Sequence, residues 1–271
     1  MPREIAELRF EALGTTCSLF AVGAGGGTLE RARDWVLERH RRFTRFEDAS
    51  ELSRLNRGAG GWGEVSDELA DLLRDSLHAY EVSGGLVHVG VIGCVIGAGY
   101  GRPFVEGPTT PRPTIPPPPL PEMLSLRPGQ AYLAPGTGVD LGGIAKGWMA
   151  DRLCAAMGGN LLANLGGDLF AAGTGPDGEG WPIDLAGTTV LLQDQGAATS
   201  SVRKRAWGAG LHHLIDPRTG RPAASDLAQV SVVAANAAEA EVSAKTALLL
   251  GSGQAREFLA ARGLAWWMEA A

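Results

Sequence analysis

Two adjacent glycines, Gly142 and Gly143, break an apolar run and stand directly before a helical pattern. The run reads V-D-L-G-G-I-A-K-G-W-M-A-D over residues 139–151 and carries an acid, Asp140, just ahead of the glycines. Trp148, Met149, Leu153 and Met157 then recur at helical spacing. Extended backbone, a tight turn and a helix start therefore follow one another. Glycine tolerates positive φ and lets a ligand approach the main chain. The N–H groups that open a helix lack internal partners and favour an anion. Lys146 adds a full positive charge at that end. The combination suits a phosphate or pyrophosphate, although a plain turn with a solvated lysine fits the same residues. The stretch is neither G-x-x-x-x-G-K-[ST] nor G-x-G-x-x-G, so neither standard nucleotide motif applies.

The chain of 271 residues is 45% hydrophobic and 20% charged, an ordinary globular balance and enough for one large domain or two small ones. A formal net charge of −6 argues against a nucleic-acid partner, which would want a basic surface. The local run Arg203-Lys204-Arg205 reads either as a solvated face or as a patch that steers an anionic nucleotide. Cys17, Cys94 and Cys154 are odd in number and far apart, which implies neither a disulfide framework nor a C-x-x-C metal site. The amino-terminal M-P-R-E-I-A-E-L shows no apolar signal core, so the expected location is the cytoplasm. The apolar run over residues 86–99 is too short to span a bilayer, and no membrane partner is expected.

Along the chain, residues 9–22 alternate around Leu13-Gly14-Thr15 and predict a strand pair or a bent strand. Residues 28–43 predict an amphipathic helix, and residues 66–82 a second one with Ser66 as its N-cap. The proline-rich residues 102–122 cannot form a helix or a central strand and predict a polyproline-type internal connection. Strands are expected over 126–133, 138–141, 161–165, 169–172, 181–190, 196–199 and 229–234. A helix is expected over 237–250, closed by Gly251.

The central stretch closely resembles the D-L-G-G-I-A-K-G-x-x-x-D signature of the ApbE family, the FAD:protein FMN transferases. The resemblance continues, in the family's order, through N-L-G-G-D at residues 164–168, A-T-S at 198–200 and H-L-I-D-P-R-T-G at 213–220. Weaker matches stand at Leu13-Gly14-Thr15, at Arg45-Phe46 with the segment 50–56, and at Ser83-Gly84-Gly85. It implies an α+β fold of the ApbE, T-fold-like type, a single domain over residues 1–271 with antiparallel sheets and packed helices. It also implies a substrate, FAD, and a partner, an acceptor protein with a Ser or Thr flavinylation site. By that resemblance the cofactor-binding residues are Gly14, Thr15, Asp140, Gly142, Gly143, Lys146, Gly166, Gly167, Asp168, Thr199, Ser200 and His213. The catalytic candidates are His213, Asp216 and Lys146: an imidazole near neutral pKa to move a proton, and a lysine to hold the pyrophosphate.

Three positions depart from the family pattern. His88 stands where an acid is usual, and a lone histidine in an apolar run is most simply a hydrogen-bonded core residue. The family helix that carries an Asp and a Thr one turn apart as Mg²⁺ ligands here has Glu241 and Lys245. The implied metal residues are Glu241 and the main-chain carbonyl of Ala145. Glutamate can replace aspartate as an oxygen ligand, but a lysine ammonium has only donors. Mg²⁺ is therefore in doubt, and Lys245 is expected in its place. An FAD-binding module with little or no transferase activity and an FAD pyrophosphatase are the alternative functions.

Overall fold

Leu13 and Gly14 both sit at positive φ, 57° and 66°, as a two-residue type I′ hairpin requires. That turn joins β1 (Ile5–Ala12) to β2 (Thr15–Val22), with Ala12 opposite Thr15, so residues 9–22 form the expected strand pair. The computed structural model describes residues 4–208 and 210–271; residues 1–3, part of the amino-terminal stretch read above, and residue 209 lie outside the described residues. The chain divides into two compact units. The first comprises Met1–His40, Ile144–Ser201 and Asp226–Ala271, and the second Arg41–Gly143 and Val202–Ser225.

The helix α1 (Thr28–Phe43) matches its expected bounds and buries Leu29, Ala32 and Val36 along one stripe. In the first unit it is followed by α2 (Ala145–Met157), β3 (Asn160–Leu165) and β4 (Asp168–Ala172). Then come β5 (Trp181–Leu185), β6 (Thr188–Leu192), β7 (Gln195–Ser201), β8 (Leu227–Ala234), α3 (Ala237–Ala260) and β9 (Ala265–Ala270). Seven strands make one sheet in the order β1-β2-β3-β4-β7-β8-β9, and all its neighbours run antiparallel. The strand expected over 181–190 is instead a hairpin of β5 and β6, turned at Ala186 and Gly187.

Strand side chains alternate between faces. On one face Leu162, Leu169, Ala197 and Val233 pack with Trp181, Ile183 and Leu185 of the separate hairpin. On the other, Ala198 and Ala234 meet Ala240 of α3. The start of α3 passes very close to the sheet and to α2. A Cβ on Gly196 would lie 2.1 Å from the Ala237 nitrogen, and one on Gly147 would lie 2.6 Å from the Ala237 carbonyl oxygen. Asp151 of α2 accepts from the N–H groups of Ala237 (2.7 Å) and Ala238 (3.0 Å) and so caps α3. Burial pushes the Asp151 carboxyl up to about 6 in spite of those two bonds. The helix expected to end at Gly251 runs on to Ala260. Gly251 (φ 76°, ψ 167°) is a break within it, and Asp226 recaps the second segment by accepting from Ser252 N–H at 2.9 Å.

The second unit holds a three-stranded sheet ordered Trp62–Glu64, Gln130–Leu133, Leu124–Arg127; the last two are a hairpin where one strand was expected. Its helix Asp67–Val82 is capped by Ser66, as expected, through a bond from Leu69 N–H. Residues 138–141 are not a strand. The Asn56 side-chain amide takes the main-chain bonds instead, donating to the Val139 carbonyl (2.9 Å) and accepting from the Val139 N–H (2.8 Å). The proline-rich stretch is extended and mostly exposed, apart from a 3-10 turn at Phe104–Glu106 and the helix Leu120–Met123, whose first turn tolerates proline.

His88 helps pin that stretch. Its Nδ1 accepts from Gly90 N–H (3.0 Å), so the proton sits on Nε2, which donates to the Pro118 carbonyl (2.9 Å). It is thus the hydrogen-bonded core residue expected. His212 repeats the pattern between Leu214 N–H (3.3 Å) and the Ala223 carbonyl (3.1 Å). Burial holds both imidazoles below the ordinary histidine value. A base depressed in the folded state stabilises it fully above the unfolded pKa of about 6.5, and that stabilisation is lost as pH falls towards the folded value. Asp151 acts oppositely below about 6, since an acid raised by folding gains stability as it protonates. The expected outcome is a melting temperature that drops between pH 7 and 6, with a smaller drop in His88→Asn and His212→Asn. A drop of equal size in both variants would show that these histidines do not carry it.

Candidate functional site

In the first unit, two helices and a strand bring three charges together. Lys146 lies in the first turn of α2 and its Nζ is bonded to Asp168 Oδ2 at the start of β4. The same Nζ donates to Glu241 Oε1 of α3 at 2.9 Å. The other oxygen of Glu241 accepts from Gly147 N–H at 2.8 Å. Asp168 is 5% exposed and Glu241 2%, so the ion pairs are buried. In place of a lysine turned to an anion, the structure has a lysine held between two carboxylates.

The electrostatics follow from that sharing. Burial works against the Lys146 charge, but the two carboxylates outweigh it and hold its pKa above the ordinary lysine value. Burial also pushes carboxyls up. At Glu241 the positive charges of Lys146 and Lys245 overcome this and hold it low. At Asp168 burial and the neighbouring Glu241 prevail over Lys146, and the carboxyl is pushed up to about 6.

The other first-unit candidates gather at the turn between β3 and β4. Asn164 accepts from Gly167 N–H at 2.8 Å and closes the turn. A Cβ on Gly166 would sit 2.4 Å from Thr15 Cγ2, so the Gly14-Thr15 hairpin end lies against this turn. Thr199 N–H donates to the Gly167 carbonyl (3.1 Å), while its hydroxyl bonds that of Ser231 (2.9 Å). Asp168 pairs with Ala198 across the sheet, so alternation gives Ser200, and not Thr199, the face on which Asp168 stands. Asn164 received no role from sequence beyond its place in the motif; its signal was a side-chain acceptor just before two glycines.

The remaining candidates belong to the second unit. Asp140 accepts from Gly142 N–H (2.7 Å) and from Arg45 Nε (2.6 Å), which folds the Gly142-Gly143 turn back on the acid. Arg45 also donates to the Tyr100 carbonyl and lies over the Phe46 ring. Its role was missed: the charge complement of Asp140 is far away in sequence. His213 is half-buried between the short strands Leu211–His212 and Ile215–Asp216. Asp216, expected beside it as a partner in proton transfer, has both carboxylate oxygens engaged by Arg218 and its carbonyl bonded by Gly220 N–H. These bonds fix the D-P-R-T-G turn.

A family model described as the ApbE family matches residues 13–268. The chain belongs to the ApbE family. It is 26% identical over 269 residues to the FAD:protein FMN transferase of Salmonella typhimurium, covering 88% of this chain and 73% of that one. To the FAD:protein FMN transferase of Treponema pallidum it is 29% identical over 270 residues, covering 83% and 70%. The ApbE protein of Thermotoga maritima superimposes with a TM-score of 0.86 over 98% of this chain and 94% of that chain, at 21% identity. The fold is accordingly the mixed ApbE fold of antiparallel sheets and helices. Among the described residues no helix is long and apolar enough to cross a membrane.

Mg²⁺, which the family resemblance implies, does not fit the residues around Glu241. Ala145 is in place at the head of α2, but both oxygens of Glu241 are already occupied by donors from Lys146 and Gly147. Among the described residues no group of three or more His, Cys, Asp or Glu side chains is arranged to hold a metal.

Proposed function

We propose that this ApbE member transfers FMN from FAD to a Ser or Thr hydroxyl of an acceptor protein. The observation that carries the reading is the convergence, inside one unit, of separate family motifs: the Gly14-Thr15 hairpin, the Asn164–Asp168 turn and Lys146. In the reaction the acceptor oxygen attacks the FMN phosphorus. The bond from that phosphorus to the bridging pyrophosphate oxygen breaks, AMP leaves, and FMN stays joined through a phosphoester. Such chemistry asks a protein mainly for position and charge. Gly166, Gly167 and Ser200 are assigned to the nucleotide, where small or hydroxyl-bearing residues admit it closely. Gly142 and Gly143, with Asp140 anchored by Arg45, are assigned to its phosphates. His213 is assigned the proton released by the attacking hydroxyl, and residues 1–271 are read as one domain.

The test mixes the purified chain, FAD and an acceptor domain, followed by a denaturing gel viewed for flavin fluorescence. A fluorescent acceptor band that weakens at least tenfold in His213→Ala is expected. No band with FAD still bound would instead favour the FAD-binding module. Free FMN in the absence of acceptor would favour the pyrophosphatase.

A further inference from the structure

We infer that the junction of α2, α3 and β4 is a cation site built from lysine, at which Lys146 and Lys245 supply the positive charge and no divalent metal binds. The inference concerns the charge centre of the unliganded chain and does not rest on transferase activity.

A hard dication needs several oxygen ligands with free lone pairs, and Mg²⁺ wants them in near-octahedral array. Glu241 is the acid of α3 aimed at this junction, and its two oxygens receive Lys146 Nζ at 2.9 Å and Gly147 N–H at 2.8 Å. A metal would have to displace a charge-assisted bond from a carboxylate that is 2% exposed. The second carboxylate, Asp168, is held by the same ammonium.

Lys245 brings a second ammonium. It lies one helical turn beyond Glu241 on α3, hence on the same face, where its side chain can only donate. The two ammonium groups balance the charges of Asp168 and Glu241 without any metal. A further acid, Asp151, stands on α2 one turn after Gly147. Its oxygens are taken by the Ala237 and Ala238 N–H groups at the head of α3, so it is committed to the helix cap. A dication placed here would meet two like charges in a site with little water to screen them.

A lysine ammonium is a permanent part of the chain, so the charge that balances Asp168 and Glu241 cannot be removed by chelation or diluted away. It is also a point charge, and unlike a metal it cannot take two ligand oxygens into one coordination sphere.

The test is a Mn²⁺ titration of the full chain, followed by the electron paramagnetic resonance signal of free Mn²⁺, with melting curves to show that each variant is folded. The wild type is expected to leave an equimolar addition free. Lys245→Thr, which removes one cation and adds an oxygen ligand, is expected to sequester Mn²⁺ stoichiometrically, and Lys245→Thr with Glu241→Gln to release it again. Stoichiometric binding by the wild type that Glu241→Gln abolishes would overturn the inference. Free Mn²⁺ in both wild type and Lys245→Thr would overturn the inference, because the lysine on α3 would then not be what keeps the metal out. In a parallel arm, FAD affinity read by flavin fluorescence is expected to be the same in Mg²⁺ and in EDTA. A tenfold weakening in EDTA would count against the inference, whereas failure to bind FAD in either would count against the proposed function alone.

Discussion

Lys146→Met is expected to destabilise the protein by roughly 3–5 kcal/mol, the usual consequence of removing one partner from a buried ion pair. Methionine fills similar volume, so the loss is electrostatic. Asp168 and Glu241 would be left buried side by side, with Lys245 acting on them from the next turn of α3. For a chain of this size the loss corresponds to a fall in melting temperature of about 6–20 °C. Adding Glu241→Gln to Lys146→Met should recover a large part of it, because a neutral amide removes the repulsion between carboxyls and its oxygen still accepts from Gly147 N–H. Thermal melts of the two variants side by side are the measurement. Equal melting temperatures would mean that the carboxylates, once deprived of Lys146, are not in conflict. The double variant is thus the sharper test.

Gly196→Ala is expected to be at least as damaging, by a steric route. A Cβ there would stand 2.1 Å from the Ala237 nitrogen and 2.2 Å from the Asn236 carbonyl carbon, which are main-chain atoms. No rotamer change can relieve that overlap. Either α3 lifts from β7, separating Glu241 from Lys146, or β7 leaves the sheet. A loss above about 4 kcal/mol, in the range reserved for severe core changes, is expected. Denaturant melts should show either that loss or no folded protein. Gly253→Ala is the control: it lies in the same helix with open space around its Cβ position, and alanine there should gain about 0.5–1 kcal/mol.

Helices with a clear apolar period and a side-chain cap were legible in the sequence. Residues 28–43 form a helix at those bounds, and Ser66 caps the helix that follows it. Paired strands were harder. Residues 126–133 and 181–190 read as single strands because period-two alternation resumes after a two-residue turn, yet each is a hairpin. Residues 138–141 have a strand's composition but find their main-chain partner in the Asn56 side chain, which no local pattern reveals. Gly251 illustrates a different ambiguity. Glycine after an apolar period marks a helix end, but here a distant acid, Asp226, restarts the helix. At the candidate site, Gly166, Asp168 and Thr15 were found through motif resemblance, and the structure brings them together. The engagement of Lys146 by Asp168 and Glu241 was not foreseen, since the partners lie 22 and 95 positions away. The same distance hid the pairing of Arg45 with Asp140.

The order in which the chain is made bears on that centre. The first unit is interrupted by Arg41–Gly143 and again by Val202–Ser225. Lys146 and Asp168 leave the ribosome well before Glu241, which follows Lys146 by 95 positions. At roughly 5–20 residues per second that interval is roughly 5–20 s. Both β7 and β8 are made within that interval, before the helix that covers them, and until then the lysine and its first carboxylate remain hydrated. Only when α3 has been synthesised can it cover that face of the sheet and water leave the charges. The nascent chain thus keeps its charged centre wet until nearly the last helix, and arrest of translation before Glu241 leaves an unshielded sheet edge for chaperones to cover.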